Sequence, residues 1–287
     1  MGTTTRNRTR LEELEARFAP LFGRIADASA DRDATGRLPH DHIRELAATG
    51  FGALRVPQSH GGAGASLPEL FSLLTDLAAA DPNLAQGLRA HFAFVEDRLV
   101  APEGTERDRW LARFVAGELV GNSWTEIGTV EVGQVNTKVS PVADGGFVIS
   151  GTKYYSTGSI FADWIDTYAQ RTDTGRRVIA VVNAHQPQVV IQDDWDGFGQ
   201  RTTGTGTSTF HSAVVAEVNL IDFETRFHYQ TAFYQGSCSR CLPEAPRAQQ
   251  TTLPRSSRPA SAPSAMARPP LPTRTRSCSR SLVRSPP

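Results

Sequence analysis

The spacing of apolar side chains changes once along this chain, close to residue 120. Before that point hydrophobic residues return every third or fourth position. In "TRLEELEARFAPLFGRIADASADRD", Leu11, Leu14, Phe18, Leu21, Phe22 and Ile25 fall on one helical face with Glu and Arg opposite. A second helix is predicted over "LPHDHIRELAATG", with Pro39 near its first turn and Gly50 as its stop. A Gly-rich loop follows, and Ser66 is placed to cap a mostly apolar helix that opens with Pro68 and Glu69. Further helices over "HFAFVEDRLV" and around "ERDRWLARFVAGEL" complete an all-α domain, residues 7–119.

After residue 120 the period shortens. "GNSWTEIGTV", "NTKVSPVADGGFVISGTKYYSTG", "DWIDTYAQRT", "RRVIAVVNAH", "PQVVIQDDWDGFG" and "STFHSAVVAEVNLI" are short β-branched and aromatic runs broken by Gly, Asp and Asn. "ADGG" has the chemistry of a hairpin turn, because glycine reaches positive φ at little cost. The fold class is therefore α+β, with an antiparallel β-sandwich or barrel over residues 120–222. "DFETRFHYQTAFYQ" then begins another helix, residues 223–235, whose Phe223, Phe227 and Tyr234 need a partner that the remaining sequence does not supply.

Composition changes the picture at one seam. From Gly236 the chain is dominated by Ser, Pro and Arg, and residues 236–287 are expected to be disordered, having too little apolar surface to offset ordering entropy. The chain's 30 basic and 30 acidic residues conceal an acidic body and a basic tail: the tail holds nine arginines and one acid, leaving 21 against 29 in residues 1–235. An acidic body argues against nucleic acid as a partner. All three cysteines, Cys238, Cys241 and Cys278, lie in the tail; "CSRC" lacks a second pair or a nearby His, so no metal site is expected. "DDWD" likewise has no accompanying ligands and is read as a solvated turn. No apolar run reaches eighteen residues, which leads to the expectation of a cytoplasmic protein without a membrane partner.

Helices, a β-domain and the first turns of a new helix follow the order of the acyl-CoA dehydrogenase superfamily, and local sequences agree. "ELAATGFGALRVPQSHGGAGAS" resembles the family's passage from an amino-terminal helix into a Gly-rich loop, and "GELVGNSWTE" its first middle-domain strand. "GGFVISGTKYYSTGSIFADW" resembles the following hairpin, and "WDGFGQRTTGTGTSTFHSAVV" the segment that closes the domain. The resemblance covers about Leu11 to Gln235. It implies a flavin, FMN or FAD, held between the β-domain and a carboxy-terminal four-helix domain. Carried over residue by residue, it places Trp124 and Thr125 against the flavin ring, Thr157 on the other side, Trp195 in the pocket wall and Thr205 near the flavin phosphate, with Arg201 as a further cofactor-binding residue. Hydroxyls and strand N–H groups on a fixed sheet suit a reduced flavin that gathers negative charge.

"TEIGTVEVGQVN" lacks the Pro and the Ser-Asp pair of the family's dehydrogenases. Asn122, His91 and Trp195 match places filled in the dibenzothiophene monooxygenase-like branch. That likeness implies His91 as a proton or hydrogen-bond donor and Asn122 as an amide facing substrate. Each has a plainer reading: His91 as a core histidine, Asn122 as a strand-start cap, Trp195 as a core anchor, Thr125 as strand surface and "TGTGTST" as a tight turn. The expected function is a flavin-dependent monooxygenase acting on a small organosulfur or nitrogen compound, fed with reduced flavin by a separate reductase. Acyl-CoA dehydrogenase is the second reading and an inactive remnant the third. The sudden Arg, Ser, Pro and Cys inside a helix already begun is what a frame-shifted reading of the gene would give. On that reading the chain lacks the four-helix domain that makes intact relatives homotetramers, and its flavin binding is expected to be weak.

Overall fold

The protein is described by a computed structural model covering residues 2–127, 135–143 and 145–241. Its first half is five helices: α1 (Gly2–Thr35), α2 (His40–Ala48), α3 (Leu67–Ala80), α4 (Pro82–Val100) and α5 (Thr105–Val115). The amphipathic face of α1 is buried as its spacing requires, with Phe18 and Phe22 set edge-on to Phe51. Gly50, at φ +81°, turns the chain out of α2. Ser66 forms a capping box at α3, its N–H and hydroxyl both donating to Glu69 Oε2 at 2.6 and 2.7 Å.

The helix expected from His91 starts earlier, at Pro82, because Asp81 caps it. One oxygen of Asp81 accepts from the Asn83 N–H at 2.9 Å and the other from Arg32 Nη2 at 2.6 Å. Asp81 is fully buried and Arg32 almost so, which pins the end of α1 to the start of α4. Breaking such a pair on one side strands a charge in the core.

Eight strands follow: β1 (Val120–Ser123), β2 (Lys138–Pro141), β3 (Phe147–Lys153), β4 (Trp164–Arg171), β5 (Arg177–Asn183), β6 (Val189–Ile191), β7 (Ser208–Val215) and β8 (Leu220–Asp222). They form one sheet in the order β6-β7-β3-β2-β4-β5-β8, with β1 beside β4. The sheet is mixed, which corrects the antiparallel expectation. Both β1 and β2 run parallel to β4, Val120 opposite Trp164 and Lys138 opposite Gln170. Alternation reports which side chains share a face and carries no information on strand direction. The "ADGG" turn is where it was expected, joining Pro141 to its partner Phe147, with Gly145 and Gly146 at φ +84° and +86°.

β5 explains how the two halves join. Ile179 and Val181 face the helices, in a cluster with Phe94, Trp110, Phe114 and Val120. Val178, Ala180 and Val182 face the other way, into a second core with Ile149, Ile165, Phe210 and Val215. A strand buried on both faces reads as a continuous apolar run, as "RVIAVV" does.

The last helix, α6 (Gln230–Cys241), continues past the expected seam at Gln235. Gly236 lets the helix approach Phe71 of α3, where an added Cβ would lie 3.3 Å from the ring. Ser237 is buried and donates to the Phe233 carbonyl at 2.9 Å. Phe233 packs against Phe71 of α3, Phe227 against Phe233, Phe223 against Trp124 and Tyr168, and Tyr234 lies beside Arg89 of α4, so the aromatics of this segment find their partners within the described chain. The expected disorder of 242–287, with Cys278, lies outside the described residues. Among the described residues no helix is long and apolar enough to cross a membrane.

Candidate functional site

Where β1 leaves the sheet, Asn122 and Trp124 line a cleft of about 470 Å³ with Arg89 of α4, Phe223, and Tyr234 and Cys238 of α6. Trp124 is fixed on several sides. Its indole N–H donates to Asp166 Oδ1 at 2.8 Å, its ring meets Phe223 and Tyr168, and the Arg226 guanidinium lies 5.4 Å from its centroid. Arg226, just ahead of α6, joins two elements: Nη1 donates to Asp166 Oδ2 of β4 at 2.9 Å, and Nε lies 3.2 Å from Asp97 Oδ1 of α4. Burial pushes the Asp166 carboxyl above its ordinary value, against the opposing pull of Arg226 and the Trp124 N–H.

The sequence reading missed this network, because a charged residue in a short amphipathic stretch is usually solvated. Its one signal is register. Asp97 falls four residues after Ala93 and three after Phe94, on faces of α4 that are buried.

The strand leaving Trp124 is braced by an ion pair. Lys153, fully buried, donates to Glu126 Oε1 at 2.8 Å and reaches the Trp124 carbonyl at 3.3 Å. Burial alone would raise the Glu126 carboxyl. Lys153 and the N–H groups of Asn136 and Thr137 more than offset this and hold it at about 2.

Asn122 sits on the cleft side of β1, and its side-chain oxygen is buried with no hydrogen-bond partner among the described residues. Its carbonyl accepts from Ser159 Oγ at 3.0 Å. The adjacent Gly121 allows this close approach, since a Cβ there would fall 2.4 Å from Ser159 Cα.

A second group lies on the neighbouring segment. Thr157 and Thr205 are both buried and share a hydroxyl hydrogen bond of 2.8 Å; Thr205 continues to Thr203 at 2.7 Å, which donates to the Gln200 carbonyl. Thr205 and Trp195 line a depression of about 200 Å³ with Tyr154 and Tyr155. Trp195 donates to the Gly199 carbonyl at 2.9 Å and stands edge-on to Tyr155. Asp194 of "DDWD" is a brace for this turn, accepting from both the N–H and the hydroxyl of Thr207. The two groups touch where Thr125 bridges Tyr154 and where the Ser123 and Ser156 hydroxyls meet at 2.6 Å. The Thr125 side chain is exposed.

Two expected site residues are elsewhere. Arg201 is exposed and donates to the Asp33 carbonyl near the end of α1, at 3.1 Å. His91 is buried, with Nε2 2.9 Å from the Gly52 carbonyl and Nδ1 accepting from the Val120 N–H at 3.2 Å. The N–H of Val120 requires an unprotonated Nδ1, so the proton sits on Nε2 and is donated to Gly52. Burial drives its pKa down to about 4, partly opposed by the Gly52 carbonyl and Asp163. A neutral imidazole with both nitrogens committed to backbone corrects the reading of His91 as a proton donor to the site. Residues 89 and 91 lie about 200° apart around a helix, and it is Arg89 that reaches the cleft.

Residues 20–118 match the family described as "Acyl-CoA dehydrogenase, N-terminal domain". This stretch is similar to that domain. Over 194 residues the chain is 27% identical to a dibenzothiophene monooxygenase from Rhodococcus erythropolis, covering 65% of this chain and 46% of that protein. It is also 27% identical over 213 residues to a putative acyl-CoA dehydrogenase from Bacillus subtilis, covering 70% of this chain and 55% of that one. The chain thus spans about half the length of these curated relatives. In three dimensions, FMN-bound TdsC from Paenibacillus sp. A11-2 superposes with a TM-score of 0.74 at 22% identity, covering 84% of this chain and 62% of that one. The helical half and the mixed sheet behind it therefore share that overall fold.

Proposed function

We propose that this chain is a flavin-dependent oxidoreductase of the monooxygenase kind, using reduced FMN and dioxygen on a small organosulfur or nitrogen compound. The observation that carries the reading is the orphaned oxygen of Asn122 in a cleft walled by Trp124. A buried acceptor without a partner is costly unless a ligand supplies a donor, and the pyrimidine edge of a flavin carries such an N–H. The likeness to the dibenzothiophene monooxygenase and to an FMN-bound fold gives independent support.

The residues present fit the cofactor. Asn122 would accept from the flavin ring, and Trp124, whose indole N–H is already committed to Asp166, would offer its ring rather than a donor. The Thr157–Thr205 hydroxyl pair would face the same cofactor from the neighbouring segment. Reduced flavin supplies the two electrons with which one oxygen atom of O₂ enters substrate and the other leaves as water. Arg226 holds Trp124 in place through Asp166, so the wall needs no rearrangement on binding. Tyr234 stays a neutral O–H donor, because burial and the nearby Asp166 push its pKa up. Trp124, Phe223 and Tyr234 keep water from one side of the cleft. A separate flavin reductase would deliver the reduced cofactor.

The likeness to a putative acyl-CoA dehydrogenase favours a second reading, oxidation of an acyl thioester. The two separate in an anaerobic cuvette. Protein with chemically reduced FMN is mixed with oxygenated buffer and dibenzothiophene, and sulfoxide is sought by chromatography. Oxidised flavin bleached by octanoyl-CoA without oxygen, and no sulfoxide, would establish the second reading and defeat the first.

A further inference from the structure

Among the described residues that line the cleft, Arg89 alone is charged. The neighbouring charges balance without it: Asp97 and Asp166 are matched by Arg98 and Arg226. Among the described residues no carboxylate pairs with Arg89, so the cleft carries one uncompensated positive charge. The guanidinium is held in place but poorly satisfied. It lies 5.3 Å from the centroid of the Tyr234 ring, and Nη1 donates to Cys238 Sγ at 3.1 Å, a weak acceptor. Its Nε is buried with no hydrogen-bond partner among the described residues. A guanidinium has five N–H donors in a planar fork, and buried donors of this kind call for oxygen acceptors.

We infer that the cleft takes an anionic substrate, a small organic oxyacid such as a sulfinate or a carboxylate, with its oxygens on Arg89 and its apolar part against Trp124, Phe223 and Tyr234. The oxygenase reading supplies what happens to that substrate; the cleft alone supplies its charge. A space of about 470 Å³ is large enough for a one-ring acid beside a second planar group. The fork of Arg89 matches a pair of acid oxygens, whereas a neutral thioether or heterocycle would leave the same N–H groups unpaired.

The test is calorimetric titration of the full chain, free of flavin, with benzenesulfinate, benzoate and the neutral phenyl methyl sulfone, and separately with FMN. Benzenesulfinate or benzoate, whichever binds tighter, is expected to lose affinity about 10- to 100-fold in Arg89→Met, the size of a lost charge-assisted hydrogen bond. Arg89→Lys keeps the charge without the fork and is expected to retain part of the affinity. Phenyl methyl sulfone is expected to bind weakly and equally to all three proteins. Arg44→Met, on an exposed ion pair with Asp163 away from the cleft, should match the unaltered chain. Near-UV circular dichroism checks that both Arg89 variants keep Trp124 in place.

Equal binding of acid and sulfone, no binding of either acid, or acid binding untouched in Arg89→Met would overturn the inference. A parallel loss of FMN affinity in Arg89→Met would overturn it too, assigning Arg89 to the cofactor's phosphate. Arg89-dependent acid binding by a chain that takes up no FMN would uphold the anion site and defeat the flavin reading instead.

Discussion

His91→Leu separates a structural histidine from a catalytic one. Leucine fills much of the imidazole's space among Phe92 and Phe114 but leaves the Gly52 carbonyl and the Val120 N–H without partners in a buried region. Each orphaned buried group costs about 1–3 kcal/mol, so the variant should lose roughly 2–6 kcal/mol of unfolding free energy at pH 7. The pH dependence gives a second readout. In the folded chain His91 titrates at about 4, below its ordinary 6.5. Between those values the unfolded chain binds a proton that the folded chain does not. The contribution of a neutral His91 is therefore complete above 6.5 and is lost as pH falls toward 4. About 2.5 pH units at about 1.4 kcal/mol each amount to roughly 3.5 kcal/mol. Urea unfolding followed by tryptophan fluorescence at pH 7, 5.5 and 4.5 should show the gap between the unaltered chain and His91→Leu closing as acid is added. If the variant is as stable as the parent at every pH yet loses flavin binding or turnover, the structural assignment of His91 is wrong.

Arg226→Met leaves Asp97 and Asp166 buried without their shared cation and should cost about 3–5 kcal/mol by urea unfolding, with loss of the near-UV signal of Trp124. Gly158→Ala places a Cβ 2.1 Å from the Gly87 carbonyl at a φ of +77°, so a lower melting temperature than the parent is expected by calorimetry. Glu126→Gln removes the partner of buried Lys153 and should destabilise by about 3–5 kcal/mol at neutral pH. Because the Glu126 carboxyl is held at about 2 in the fold, against 4.5 ordinarily, its contribution is present above 4.5 and lost as pH falls toward 2. Stability measured across that window should fall less steeply in Glu126→Gln than in the parent.

The periodicity of the first half located its helices because each buries a single stripe, and the Ser66 capping box was legible for the same local reason. Asp81 escaped notice as a cap because its second oxygen answers to Arg32, forty-nine residues away, a pairing that local pattern does not encode. Strand positions were legible and strand directions were not. In the site, Asn122 and Trp124 line one cleft and Thr157 meets Thr205. His91 was misplaced because an imidazole between Ala90 and Phe92 has the same sequence signature whether it faces a ligand or the backbone of a neighbouring strand. Arg89, two residues earlier, has the signature of any surface arginine; only the position of Tyr234 across the cleft distinguishes it.

One edge of β4 is shared end to end: β1 occupies Trp164 to Thr167 and β2 resumes at Gln170. Tyr168 and Ala169 lie at the handover, and Trp124 stacks near Tyr168 there instead of adding rungs to the ladder. Beside Trp124 the pairing of this edge is therefore broken for two residues, while the other edge of β4 runs unbroken against β5 from Trp164 to Gln170. The same strand is a continuous ladder on one side and a relay between two partners on the other.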